Sequence, residues 1–134
     1  MWFKNISLNW FMIVWVLFLS LYVFESRAHD WMAPPEAAKR NNSVATSQDS
    51  VDRGKDVYLM SCASCHGEKL EGLEAEAVGL ATNTPDLKKR LKTHSDGDFF
   101  WKIQNGKGDM PSFQEDLSET QIWDVINYIR SKAE

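Results

Sequence analysis

Both cysteines of this 134-residue chain fall in one five-residue run, Cys62-Ala63-Ser64-Cys65-His66. Two cysteines are too few for a disulfide-dense scaffold or a four-cysteine zinc site. A thioredoxin-like redox pair expects a preceding strand and a βαβ pattern, whereas the residues before Cys62 have helical spacing. A lone structural disulfide gives no role to His66. The run has the C-x-x-C-H spacing that attaches c-type haem. Two thiols separated by two residues can each add to a vinyl group on one porphyrin edge. The adjacent histidine is then carried under the ring, where Nε2 can bind iron.

The rest of the chain has need of such a group. From Ser50 onward the signals are helical, with no alternating run long enough for a sheet and no internal repeat. A first helix is expected over Val51–Ser61, capped by Asp49 or Ser50, with Val57, Tyr58 and either Met60 or Ser61 bracketing its buried side. A second is expected over Asp96–Asn105, with Ser95 as cap, Asp98 complementing the dipole and Gly106 just past its end. In the last helix, Ser118 and Gln121 form a capping box, Leu117 and Ile122 a hydrophobic staple, and Ile122, Val125, Ile126 and Ile129 follow the 3.6-residue period. Between the first two, residues 67–93 read as loop, with a short helix around Asp86–Lys92. Some 85 residues in short helices bury little by themselves, and a rigid hydrophobic cofactor completes such a core.

The N-terminal segment is of another kind. Trp10–Phe24 carries no charge, and counting back to Ile6 gives an apolar stretch, residues 6–24, of roughly 28 Å as helix. Ser26-Arg27-Ala28 suits the small-residue rule for a cleaved secretory signal; Trp2, Trp10, Tyr22 and Trp31 suit the interfacial belt of an uncleaved membrane anchor. A buried core helix fits poorly because the run has no polar face. Either of the first two exports the remainder, placing it in a bacterial periplasm or on the outer face of the cytoplasmic membrane. The expected organisation is residues 1–28 as signal peptide or anchor, 29–49 as a Pro/Ser-rich linker and 50–134 as the domain. Composition favours a partly ordered tether for the linker over an arm docked on the domain.

Charge narrows the partners. The whole chain carries a net −4; without Lys4, Arg27 and Glu25 the exported part has 13 basic and 18 acidic residues, a net −5. That balance argues against nucleic acid, whose phosphates require a basic face. Lys88, Lys89, Arg90 and Lys92 form one basic cluster, and Glu68, Glu71, Glu74 and Glu76 an acidic one. Such runs are ordinarily solvated faces, but either would steer a redox partner if it bordered the haem edge.

The second axial ligand has several candidates. Met60 shares a helix with the attachment site, while Met32 and His29 sit in the linker. Met110 lies in a Gly- and Pro-rich loop, Asn105 to Phe113, in which glycines allow close approach to a ring and Pro111 stiffens the backbone. Met110 is the favoured ligand; His94 and an open or water-ligated site are the alternatives.

Residues from about Ser50 to Glu134 resemble the class I c-type cytochromes, small monohaem electron carriers. Gly54 and Tyr58 on a first helix, Cys62-Ala63-Ser64-Cys65-His66-Gly67, then Met110-Pro111, then Val125 and Tyr128 on a terminal helix carry the resemblance. It implies an all-α cytochrome c fold wrapped around one covalently bound haem, preceded here by the apolar segment and linker. Cys62 and Cys65 would hold the haem, and His66 and Met110 would ligate its iron. The first and last helices would cross closely at Gly54. Many members have a proline after the attachment site, near the carbonyl that accepts the ligand histidine's Nδ1–H; here Gly79-Leu80 and Pro85 are the nearest equivalents, and the serving carbonyl stays open. With both axial positions filled, no small-molecule substrate reaches iron, so the expected role is one-electron transfer between respiratory redox partners, not catalysis. The competing readings are a haem subunit fixed in a membrane oxidoreductase complex, and a haem sensor or peroxidase-like protein.

Overall fold

The computed structural model describes residues 31–133. The apolar stretch at 6–24, with the choice between signal and anchor, lies outside them; among the described residues no helix is long and apolar enough to cross a membrane. Those residues form an all-α fold of α1 (Pro35–Ala38), α2 (Gln48–Ser61), α3 (Ala63–His66), α4 (Ala75–Val78), α5 (Leu87–Arg90), α6 (Asp96–Asn105) and α7 (Glu119–Ser131). The one β-type feature among them is an isolated bridge between Lys107 and Met110.

The three long helices begin where their caps dictate. Ser47 accepts from the Ser50 N–H, so α2 starts at Gln48, a turn ahead of the expected Val51. Reciprocal capping boxes open α6 (Ser95 with Asp98) and α7 (Ser118 with Gln121). Ile122, Val125, Ile126 and Ile129 are all buried, as their period requires. Met60 departs from expectation. It is 77% exposed, while Ser61 is half-buried, so the buried face of α2 is Ser50, Gly54, Val57 and Tyr58.

The core forms where α2 crosses α7. A Cβ built at Gly54 would lie 2.0 Å from the Asp124 carbonyl oxygen, so any side chain there pushes the helices apart. Beside this contact the Tyr58 and Tyr128 rings sit 5.4 Å apart. Asp124, almost fully buried, accepts from Ser50 Oγ at 2.6 Å and from both Arg53 Nε (2.8 Å) and Nη2 (2.9 Å). Ser50 Oγ also accepts from Asn127 Nδ2. The buried Ser50, Asp124 and Asn127 side chains are thereby partnered.

Residues 33–47 lie against the helices. Ala33 is buried, and its N–H donates to Asp98 Oδ1 at 3.2 Å. α1 packs so closely on α6 that a Cβ at Gly97 would stand 2.2 Å from the Ala37 carbonyl oxygen. The Arg40 guanidinium lies 4.2 Å above the Phe100 ring, which stacks on Trp123 at 4.2 Å, and its Nη2 reaches Glu119 at 2.6 Å. Asn42 and Thr46 both donate to Asn127 Oδ1. The segment is therefore a docked arm and not the tether that composition favours. Its hold comes from polar groups bonding to buried Asp98 and Asn127, which leave no periodic trace in a sequence.

Candidate cofactor site

The motif straddles a break in the backbone. Cys62 closes α2, its N–H donating to the Tyr58 carbonyl, and at φ −124° it turns the chain into α3. Both thiols are free and half-buried. Cys62 and Ala63 pack against the hydrophobic core. Burial, helped by the neighbouring Cys65, pushes the Cys62 thiol up to about 12, so it stays protonated at neutral pH.

α3 is a single turn, and a helix leaves its last carbonyls without intrahelical partners. Here the fold supplies them. Thr84 Oγ1 donates to the Cys65 carbonyl (2.6 Å), the Gly72 N–H to that of His66 (2.9 Å) and the Tyr58 hydroxyl to that of Gly67 (2.6 Å). Gly72 can come this close because it sits at φ 76°, and a Cβ there would stand 2.3 Å from the Thr84 carbonyl oxygen. Burial also raises the Tyr58 phenol above its ordinary value, keeping the hydroxyl a donor. Sequence reading placed Tyr58 as a packing aromatic and passed over Thr84. A threonine beside a Pro-Asp turn looks like a local cap, and nothing in its spacing ties it to Cys65.

The His66 imidazole is half-buried, and burial lowers its pKa, favouring the neutral form that binds metal. The backbone of Pro85 partly offsets that effect; since proline has no N–H, the group involved is its carbonyl. Of the carbonyls left open by the sequence, this is the one beside the ring. It does not complete a hydrogen bond, because Nδ1 is buried with no partner. An orphaned ring nitrogen next to two free thiols suits a cofactor that draws the imidazole into place. The residues fit a covalently held haem.

Met110 is half-buried and packs, with Phe113 and Leu117, against the same core as Cys62. Its loop is tightly held. Met110 and Lys107 exchange backbone hydrogen bonds of 2.9 and 3.1 Å, Phe113 N–H donates to Ile103, and Ser112 Oγ donates to Gln104. Gly106, at φ 63°, lies where a Cβ would meet the Met110 carbonyl oxygen at 2.5 Å. Asp109 Oδ2 accepts from the Ala81 N–H at 3.2 Å, tying this loop to the segment that follows the motif. The other candidates are placed differently. Met32 and Met60 are exposed, and His29 lies outside the described residues. His94 is buried, with Nδ1 2.9 Å from Thr93 Oγ1 and 3.1 Å from the Arg90 carbonyl oxygen.

Known proteins resemble the same stretch. The family described as "Cytochrome C oxidase, cbb3-type, subunit III" matches residues 49–129. Cytochrome c6 of Limnospira maxima is 33% identical over 87 residues, covering 63% of this chain and 94% of that protein. Cytochrome c6 of Gloeothece citriformis is 30% identical over 104 residues, covering 78% and 81%. Cytochrome c550 of Pseudomonas aeruginosa is 32% identical over 89 residues, 61% of this chain, and the match spans only 55% of that protein. Among solved structures, a chain of the Kuenenia stuttgartiensis reducing HAO-like protein complex Kustc0457/Kustc0458 superposes with a TM-score of 0.53 at 19% identity. That match covers 68% of this chain and 47% of the other, a likeness of fold.

Proposed function

The chain belongs to the c-type cytochromes, and from that premise we propose that it is an extracytoplasmic one-electron carrier passing electrons between respiratory redox proteins through an exposed haem edge. The cofactor is haem c, and the relatives support a monohaem electron carrier. Cys62 and Cys65 would hold the porphyrin, and His66 and Met110 would ligate its iron. When bound, haem c supplies one iron that cycles between the ferrous and ferric states.

The chain's own residues define how that iron is used. Packing of Met110 against the same core as Cys62, on a loop bonded through Asp109 to the segment after the motif, is the observation that carries this reading. A ligand held that firmly would leave bound iron no open position, which disfavours substrate chemistry at the metal and leaves electron transfer. Methionine as partner to histidine favours the ferrous state. Residues 1–28 act as signal peptide or anchor, which exports the domain, and its net negative charge steers it to partners of opposite sign.

Absorption spectra of the reduced and oxidised protein, taken on membrane and soluble fractions separately, test this. The expected result is a low-spin spectrum with a weak near-infrared sulfur-to-iron band that disappears in Met110→Ala. A high-spin native state that binds carbon monoxide overturns the carrier reading. The matched family, described by an oxidase subunit, favours a second reading in which the domain is fixed in a membrane oxidoreductase complex. Stable co-purification with other subunits after detergent extraction separates the two.

A further inference from the structure

Two of the three captured carbonyls flank the Cα of His66. The Cys65 carbonyl belongs to the peptide plane entering His66, and the His66 carbonyl to the plane leaving it. Because peptide units are rigid planes, fixing both fixes φ and ψ of His66 and so the direction of its Cα–Cβ bond. The Gly67 carbonyl fixes the plane after that. The N–H sides of the two planes about His66 are held by helix-type bonds, His66 N–H to the Cys62 carbonyl and Gly67 N–H to that of Ala63, both 2.9 Å, so the captured carbonyls hold the opposite side of each plane.

The two side-chain donors are themselves held. Thr84 exchanges backbone bonds with Leu73: its N–H donates to the Leu73 carbonyl at 3.0 Å, and its Oγ1 accepts from the Leu73 N–H at 2.7 Å. The Oγ1 proton has two carbonyls in reach, Cys65 at 2.6 Å and Leu73 at 3.3 Å, and the shorter contact is to Cys65. Tyr58 is fully buried on α2, packed against Tyr128 of α7, so its hydroxyl reports the position of the helix crossing directly to Gly67. Leu70 lies in the left-handed region at φ 62°, which a non-glycine residue rarely adopts. It is nonetheless kept there, bonded through its N–H to Gly67 and through its carbonyl to Leu87. The loop after the motif is over-determined.

We infer that Tyr58 and Thr84 are positioning residues that set the orientation of the His66 imidazole through the carbonyls of Gly67 and Cys65. The inference rests on His66 being an axial ligand of the haem. Loss of the Thr84 hydroxyl leaves the Cys65 carbonyl dipole uncompensated beside the ligand, loss of the Tyr58 hydroxyl leaves that of Gly67 with only the longer bond from the Leu70 N–H (3.2 Å), and negative potential near the metal favours its ferric form. Loss of the Thr84 hydroxyl also leaves the Cys65–His66 plane held on its N–H side alone, so the ring samples a wider range of orientations.

The test uses the haem-loaded full-length protein and the variants Thr84→Val, Thr84→Ser and Tyr58→Phe, the last keeping its ring against Tyr128. Electron paramagnetic resonance of the ferric state reads ring orientation, redox titration reads the poise, and thermal melting reads stability. In Thr84→Val the low-spin signal broadens and its g-values shift. The ferrous-to-ferric ratio at a fixed applied potential falls about threefold, the weight of one modest hydrogen bond. Thr84→Ser restores both, and Tyr58→Phe moves both in the direction of Thr84→Val. If Thr84→Val and Tyr58→Phe lower the melting temperature but leave signal and poise unchanged, the clamp is structural only and the inference fails. His66→Ala serves as the control for the ligand itself: a low-spin signal that survives it unchanged would sink the ligand assignment, and the inference with it.

Discussion

Gly54 shows how much one position can decide. Its hydrogen stands where a methyl would approach the Asp124 carbonyl oxygen to 2.0 Å, against backbone that cannot swing aside as a side chain would. Gly54→Ala should therefore destabilise the protein by about 3 kcal/mol, even though alanine is the better helix former by about 1 kcal/mol. Urea unfolding of the haem-loaded protein measures it; a midpoint equal to wild type would mean the helices cross less tightly than described. This residue was legible beforehand. A glycine one turn before a tyrosine on the first helix, facing an aliphatic and an aromatic on the last, is a pattern of residue sizes, and sizes are printed in a sequence. The hydroxyl of that tyrosine was not legible. Where an O–H points depends on the loop it meets, and the residues after Gly67 carry no period from which to place that loop.

Helices follow the same division. The starts of α6 and α7 could be placed because Ser95 and Ser118 act on amides three residues on, within one turn. α4 went unnoticed, since four residues cannot establish a period. Between α2 and α7 the polar contacts are unequal: Asp124 is buried, while the Arg53 side chain is 55% exposed. Asp124→Ala strips the acceptor from the buried Ser50 hydroxyl and opens space at the crossing, a loss of about 2–3 kcal/mol. Arg53→Ala should cost distinctly less than that, because water already screens much of that pair. Equal losses in a pair of urea titrations would show that the guanidinium, and not the hydroxyl, holds the carboxylate in place.

At the scale of the molecule, acid is the expected weakness. Burial lowers the pKa of both His66 and His94 from the ordinary value of 6.5. Their folded-state values lie below the unfolded ones, so as pH falls through 6.5 the unfolded chain takes up protons first and stability declines; above that value this contribution is constant. Iron at His66 works in the same sense, since a proton competes for the ligating nitrogen. The urea midpoint should drop between pH 7.5 and pH 5.5, and a midpoint flat across that interval would show that neither histidine is held neutral by the fold. Composition had suggested the whole-molecule plan, a thin helical core completed by a cofactor, because apolar content per residue is an additive quantity. It could not show which surface residues 33–47 would cover.

That covering bears on where the chain can be cut. A fragment begun at residue 49, where the family match starts, would strip Arg40 from the face of Phe100 and take Asn42 and Thr46 from Asn127. The Phe100–Trp123 stack would then be bared to solvent as an adhesive patch. A recombinant domain meant to stay monomeric at high concentration should begin at Met32, sixteen residues before α2.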